Sequence, residues 1–300
     1  MTIVQALLGV LIVCGAMLVA AWVSSARRSR QASSHQGALP GALHSLVGFV
    51  TNFFDTLGIG SFATTTAAFR LMRLVPDELI PGTLLVGLAL PVIAQALIFI
   101  TVVEVNPGQM AVLIASCVAG GWLGAGVVAS ISRRAIQLAM GIALTAAAAL
   151  MLAGMLGLIP AGGTATTFSP SAFVIALVVS VVLGALLTIG IGNYAPSLIV
   201  FSLLGMDPRA AFPIMMGSGA FVATIAGARF IARARFDSRA ALGLTLGGIP
   251  GVLIAAWLVQ SLPLDALRWV VLVVVIYSAI SLLRAAIRTS DVAFVGGSRP

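Results

Sequence analysis

Long apolar runs separated by short polar or arginine-bearing stretches fill this 300-residue chain. A crossing helix takes about 20 apolar residues. Runs at 3–23, 79–103, 109–131, 135–159, 209–229, 240–260 and 266–287 meet that length. Two further apolar segments are interrupted. Residues 43–57 and 61–74 are split by Gly58-Ile59-Gly60, and residues 171–188 and 193–205 by Gly190-Ile191-Gly192. Each piece is short for a full crossing, so the pattern predicts two helix–break–helix pairs, each turning back to the side it entered from. Polar backbone at membrane depth persists only where protein or a water-filled cavity lines it.

The two breaks are related. A shift of 132 positions superimposes Asp55–Ser61 (DTLGIGS) on Leu187–Asn193 (LTIGIGN) without a gap. Thr56, Gly58, Ile59, Gly60, Ala63, Phe69, Leu71, Pro76, Pro81 and Gly87 are each repeated at that offset, ten identities in 33 positions. Shared glycines and prolines fix backbone shape rather than merely supply hydrophobicity, which marks an internal duplication. The same offset pairs Ala111, Ala115 and Ala119 with Gly243, Gly247 and Gly251, stripes of small residues that let membrane helices approach closely. Pro91 and Pro250 fall inside predicted spans and are expected to kink them. The organisation is therefore an N-terminal helix and linker over 1–42, a first repeat over 43–159 and a linker over 160–170. A second repeat over 171–288 and a short tail over 289–300 follow. Three full spans plus a pair that returns to its own side make each repeat odd in crossings. The two repeats are then oppositely oriented, as in many secondary transporters, whose sites lie near midplane at the repeat interface.

Composition fixes the class. Sixty per cent of residues are hydrophobic and 8% charged, with a mean hydropathy of +1.16. That describes an all-α polytopic protein of the lipid bilayer, not a soluble domain. All 16 basic residues are arginine, and they cluster at span ends rather than on a basic face, so the net charge of +8 sets topology and does not imply nucleic acid. With the N-terminus outside and the C-terminus inside the cytoplasmic membrane, only Arg209 and Arg268 fall outside. A single crossing by each broken pair would move Arg70, Arg73, Arg133 and Arg134 to the wrong side. Arg27, Arg28 and Arg30 follow the first apolar run, whereas a secretory signal carries its charge before the run. Cleavage near residues 20–26 is the alternative. Cys14 and Cys117 lie in apolar segments and His35 and His44 near one edge, which gives no disulfide framework, metal site or cofactor box.

The breaks carry the candidate chemistry. A half-helix that starts at a break presents unpaired N–H groups and the positive end of its dipole. Around Gly58 and Gly60 lie Ser61, Thr64 and Thr65; around Gly190 and Gly192 lie Asn193, Tyr194 and Ser197. Backbone N–H groups backed by hydroxyls and an amide suit a compact oxyanion. The plainer alternative is that the glycines only allow close packing and the hydroxyls bond their own backbone. Asp55 is the one acid placed away from the membrane edges, where a carboxylate is costly and is a functional candidate by default. It is expected to accept a coupling proton or hold a cation, with Asn52 beside it, or else to cap a half-helix.

The doubled glycine break, the Thr/Ser-rich or Pro196-Ser197 half-helix after it, and Pro76/Pro208 before the next span resemble the TauE/SafE family of sulfite exporters and toluene-sulfonate uptake permeases. The resemblance covers about residues 44–287. It departs from the family in having two glycines per break and a proline in the second break alone. The resemblance implies secondary transport of a small sulfur-containing oxyanion or sulfonate. The competing readings are a channel, or a transporter of an unrelated small solute or ion. An enzyme is disfavoured, since no HExxH, cysteine cluster or nucleophile–base arrangement is present.

Overall fold

The computed structural model describes residues 2–32, 41–58, 60–76, 79–128, 163–188 and 192–261, with scattered positions between 134 and 156 and between 269 and 287. The expected spans at 135–159 and 266–287 lie largely outside the described residues, and the tail and most of the 33–40 linker wholly so. Ten helices make up the described part. They are α1 (Ile3–Ala32), α2 (Ala42–Thr56), α3 (Ser61–Leu71), α4 (Ile80–Gly87), α5 (Ala89–Val102), α6 (Pro107–Val128), α7 (Pro170–Thr188), α8 (Tyr194–Leu203), α9 (Pro208–Ala232) and α10 (Ser238–Ser261). Among the described residues the one β-type pairing is an isolated bridge, Ala165 to Met206.

Among the described residues, five stretches are long and apolar enough to cross a membrane: Ile3–Ser25, Ile80–Val102, Pro170–Leu187, Pro208–Ala232 and Ser238–Leu258. The chain is a polytopic helical membrane protein. Pro170–Leu187 departs from expectation, because the first arm of the second broken pair is itself of spanning length. No glycine or proline interrupts its 18 residues after Pro170 until Gly184, which the helix absorbs.

Both broken pairs fold back as hairpins. His44, near the start of α2, meets Phe69, near the end of α3, with ring centroids 6.3 Å apart. Phe168, just before α7, meets Phe201, near the end of α8, at 5.4 Å. The open end of the first hairpin lies with the α9–α10 turn and the start of α4. There the Trp22 indole donates to Ser238 Oγ (3.1 Å), and the Asp237 N–H donates to Thr83 Oγ1 (2.9 Å). The open end of the second lies with the α5–α6 turn, where Gln109 clamps Phe168 by donating to its carbonyl (3.0 Å) and accepting its N–H (2.7 Å).

Each hairpin's first arm packs on the third long helix of the other half of the chain, α2 on α10 and α7 on α6. The small residues make this possible. A Cβ on Gly247 would strike the Ser45 carbonyl, one on Gly251 would lie 2.5 Å from the Phe49 carbonyl, and one on Gly184 would strike the Cys117 carbonyl. Helix backbones thus touch directly, the close approach that drives association where lipid is as apolar as leucine. Behind them α5 and α9 form the centre. α9 is buried along most of its length, and Phe99 stacks on Phe212 at 5.2 Å.

Pro91 acts as expected. The helix is interrupted at Leu88, and the Gly87 carbonyl that Pro91 cannot engage accepts the Thr245 hydroxyl at 2.8 Å. Pro250, in contrast, is carried inside the continuous α10.

Candidate functional site

The first break is made by glycines that only glycine readily replaces. Gly58 (φ 99°) and Gly60 (φ 86°) occupy the left-handed half of backbone space. The Gly58 N–H closes the end of α2 on the Asp55 carbonyl (2.8 Å), and the chain restarts as α3 at Ser61. Asp55 then reaches across the break. Its Oδ1 accepts the Ser61 N–H at 2.5 Å, so the carboxylate caps α3 at the positive end of its dipole. Asp55 thus takes the capping position at the start of α3, from across the break.

The second oxygen of Asp55 ties the two halves of the chain together. Gln95 of α5 donates from Nε2 to Asp55 Oδ2 (2.9 Å) and to Thr56 Oγ1 (3.0 Å). The Tyr194 hydroxyl, at the first residue of α8, donates to Gln95 Oε1 (2.8 Å). Asp55, Gln95 and Tyr194 are 2%, 0% and 3% exposed, so the three are shut off from bulk water. Sequence reading missed Gln95. Its signal was available: it is the only amide in the apolar run Ala89–Val102, and polar groups inside a membrane span are seldom idle.

A small cavity joins the breaks, bordered by Asp55, Gly60, Ser61 and Phe62 on one side and Leu187, Gly192, Asn193 and Tyr194 on the other. Val92, Gly219 and Ala223 close it. It has room for about one water molecule. Asp55 is the one charged residue at its border. Two other lining groups are under-used. The Ser61 hydroxyl lies beside the Asp55 carboxyl without a well-formed hydrogen bond, and Asn193 Oδ1 has no partner. Buried polar atoms normally find one, so both are available to a ligand.

The remaining predicted residues sit around this centre. Thr65 is buried one turn into α3 with its hydroxyl unpartnered. Thr64 bonds its own backbone, donating to the Gly60 and Ser61 carbonyls (3.2 and 3.0 Å). Asn52, one turn before Asp55, donates to the Gly48 carbonyl (2.8 Å) and leaves Oδ1 unpartnered. Ser197 is buried in the first turn of α8, its N–H on the Asn193 carbonyl (2.9 Å). Gly190 lies outside the described residues. No group of three or more His, Cys, Asp or Glu occurs among the described residues.

No curated protein and no solved structure matches this chain. Residues 172–298, the whole of the second broken pair and the helices after it, match the family model described as Sulfite exporter TauE/SafE. This chain is thus a multi-pass helical membrane protein whose residues 172–298 are similar to the Sulfite exporter TauE/SafE family.

Proposed function

We propose that the protein is a secondary transporter that moves a small sulfur-containing oxyanion or organosulfonate across the cytoplasmic membrane, through a midplane site between the two broken pairs. The observation that carries this reading is the shared cavity: Gly60–Ser61 and Gly192–Tyr194 border one space although 132 positions separate them in the chain. Two half-helix N-termini and the Ser61 hydroxyl offer dipoles and neutral donors, while the Asn193 amide beside them donates to the Met215 carbonyl (3.4 Å). An anion held that way is released more readily than from a full counter-charge. The cavity is closed to about the size of one water, so binding requires the pairs to part toward one side and then the other.

Inverted repeats supply that motion. The hairpin contacts support such an arrangement, since the first pair opens beside the α9–α10 turn and the second beside the α5–α6 turn. Each pair is then re-entrant, with three further crossings per repeat and α1 as an additional span. Positive-inside counting orients the assembly with its N-terminus out and its C-terminus in. Single cysteines at Ser33 and Ser298 are expected to label only from the cytoplasm, and one at Thr164 only from outside. Labelling of the Ser33 and Thr164 variants from the same face would rule out the inverted arrangement.

The substrate class is tested by thermal stabilisation of the purified protein. Sulfite, taurine, toluene sulfonate, sulfate, acetate and an amino acid are compared at equal ionic strength. Sulfite or a sulfonate is expected to raise the melting temperature most, because binding to the folded state alone stabilises by mass action. Stabilisation by the amino acid or acetate alone would move the reading to an unrelated solute.

A further inference from the structure

We infer that Gln95 is a positioning residue for coupling: its side-chain amide reads the protonation state of Asp55 on the first broken pair and relays it to Tyr194 on the second. The inference rests on the transport reading above and assigns a role to a residue that the reading does not require.

The argument is one of hydrogen-bond direction. A carboxylate only accepts, while an amide has one accepting and one donating end. In the structure every donor points toward Asp55. Tyr194 donates to Gln95 Oε1, Gln95 Nε2 donates to Asp55 Oδ2, and the Ser61 N–H donates to Oδ1. Thr56 fixes the polarity of the amide. Its hydroxyl hydrogen is committed to the Asn52 carbonyl (2.8 Å), so its oxygen can only accept from Gln95 Nε2. This is the pattern of an ionised Asp55.

A proton arriving from water on Asp55 makes no other covalent change, yet on Oδ2 it conflicts with this pattern. There it faces the Gln95 NH2, donor against donor. On Oδ1 it would instead turn to the unpartnered Ser61 Oγ and leave the amide as it is, so the relay needs the proton on Oδ2. With the proton on Oδ2, the amide turns over, presenting Oε1 to Asp55. Nε2 then faces Tyr194, whose hydroxyl must accept and send its own hydrogen elsewhere, and the Thr56 hydroxyl must leave the Asn52 carbonyl to donate to Oε1. Asn193 Oδ1, an unpartnered acceptor next along the same helix start, borders the same cavity. With all of these groups buried, a mismatched pair costs more than a bond is worth in water, which makes the network two-state rather than graded.

The surroundings offer no competing switch. Asp55 and the Tyr194 phenol are the titratable groups at the cavity. α3 presents Ser61 and Phe62, α7 Leu187, and α9 only Gly219 and Ala223. α10 brings Gly248 against Asn52 one turn earlier. Gln95 is therefore the hydrogen-bonded bridge, among the described residues, between the carboxyl on α2 and the hydroxyl at the start of α8.

The test compares wild type, Gln95→Met and Tyr194→Phe. Infrared difference spectra across a pH titration of the purified protein need no substrate. In wild type, the tyrosine C–O band is expected to shift together with the appearance of the protonated carboxyl band of Asp55, assigned by its loss in Asp55→Asn. Gln95→Met should abolish the tyrosine shift while the carboxyl band remains. A tyrosine band in wild type that ignores Asp55, or one that still shifts in Gln95→Met, overturns the relay. In vesicles loaded for sulfite uptake, both variants are expected to lose about five-fold or more of the stimulation by an inward proton gradient, the low end of ordinary coupling factors. Tyr194→Phe, which removes one oxygen and no packing, decides the matter should Gln95→Met not fold. Wild-type vesicles that move no sulfite or sulfonate would defeat the transport reading, while the infrared result would still judge the relay.

Discussion

Asp55→Asn is expected to bind sulfite more tightly than wild type and to lose proton-driven accumulation. The carboxylate already occupies the α3 N-terminus, with its oxygen 2.5 Å from the Ser61 N–H. An incoming anion at that helix start meets a like charge. Two unit charges about 4 Å apart repel by about 4 kcal/mol at an effective dielectric near 20. The neutral hydrogen bonds exchanged in the substitution are worth about 1 kcal/mol each, so the repulsion decides the outcome. Proton binding and anion binding at the two ends of this contact are therefore expected to assist one another, and linkage makes such assistance reciprocal. An inward proton gradient then loads the anion on the acidic side and releases it where Asp55 ionises again. Asparagine fixes the neutral state permanently. Sulfite affinity should rise by about five-fold or more, exchange of sulfite across the membrane should persist, and uphill accumulation should vanish. Vesicle uptake with and without a proton gradient measures all three. An Asp55→Asn protein with wild-type rate and wild-type pH response would make Asp55 a structural cap and nothing more.

Gly184→Val and Gly247→Val are expected to be strongly destabilising single changes at the close helix contacts. A Cβ at either position is driven into a carbonyl oxygen of the facing helix, Cys117 for Gly184 and Ser45 for Gly247, with further backbone atoms at 3.0 Å or less. Backbone cannot rotate out of the way as a side chain can. Overpacking of this kind costs about 1–3 kcal/mol, or roughly 2–4 °C of melting temperature per kcal/mol in a chain of this size. The two contacts belong to different helix pairs, so the double variant should show nearly the sum of the two losses. Gly9→Ala is the control, since a Cβ there meets nothing within 4 Å. Equal melting temperatures for Gly184→Val and Gly9→Ala would mean that the α6–α7 contact does not hold the fold together.

Much of the architecture was legible because a bilayer restricts what a chain can do. Apolar run lengths located α9 and α10 within a few residues and the start of α1, which runs nine residues past its expected end at 23, and glycine spacing located both breaks. The stripe Gly243, Gly247, Gly251 was readable as a contact face, though not its partner. That partner, α2 of the other half, is a choice between equally apolar surfaces, and one-dimensional spacing contains nothing that ranks them. The same holds for Leu88, where the helix is interrupted. Pro91 announced a freed carbonyl at Gly87, but only Thr245, 158 positions away, shows how it is satisfied.

At the site the division is sharper. The sequence by itself determined that Asp55 lies between an apolar arm and a glycine break, and that backbone N–H groups must be exposed at Ser61 and near Tyr194, because a helix start always leaves them unpaired. It also placed Thr64 among hydroxyls that could serve ligand or backbone, without deciding between them. Only the tertiary structure decided that Thr64 turns to its own helix, that Tyr194 points at Gln95, and that Gln95 hands that bond on to Asp55. Hydrogen-bond partners at such separations are fixed by which helix faces meet, and faces meet through many weak packing contacts summed over the whole chain. Helix existence is a local property and is written locally. The direction of a buried hydrogen bond is a global one.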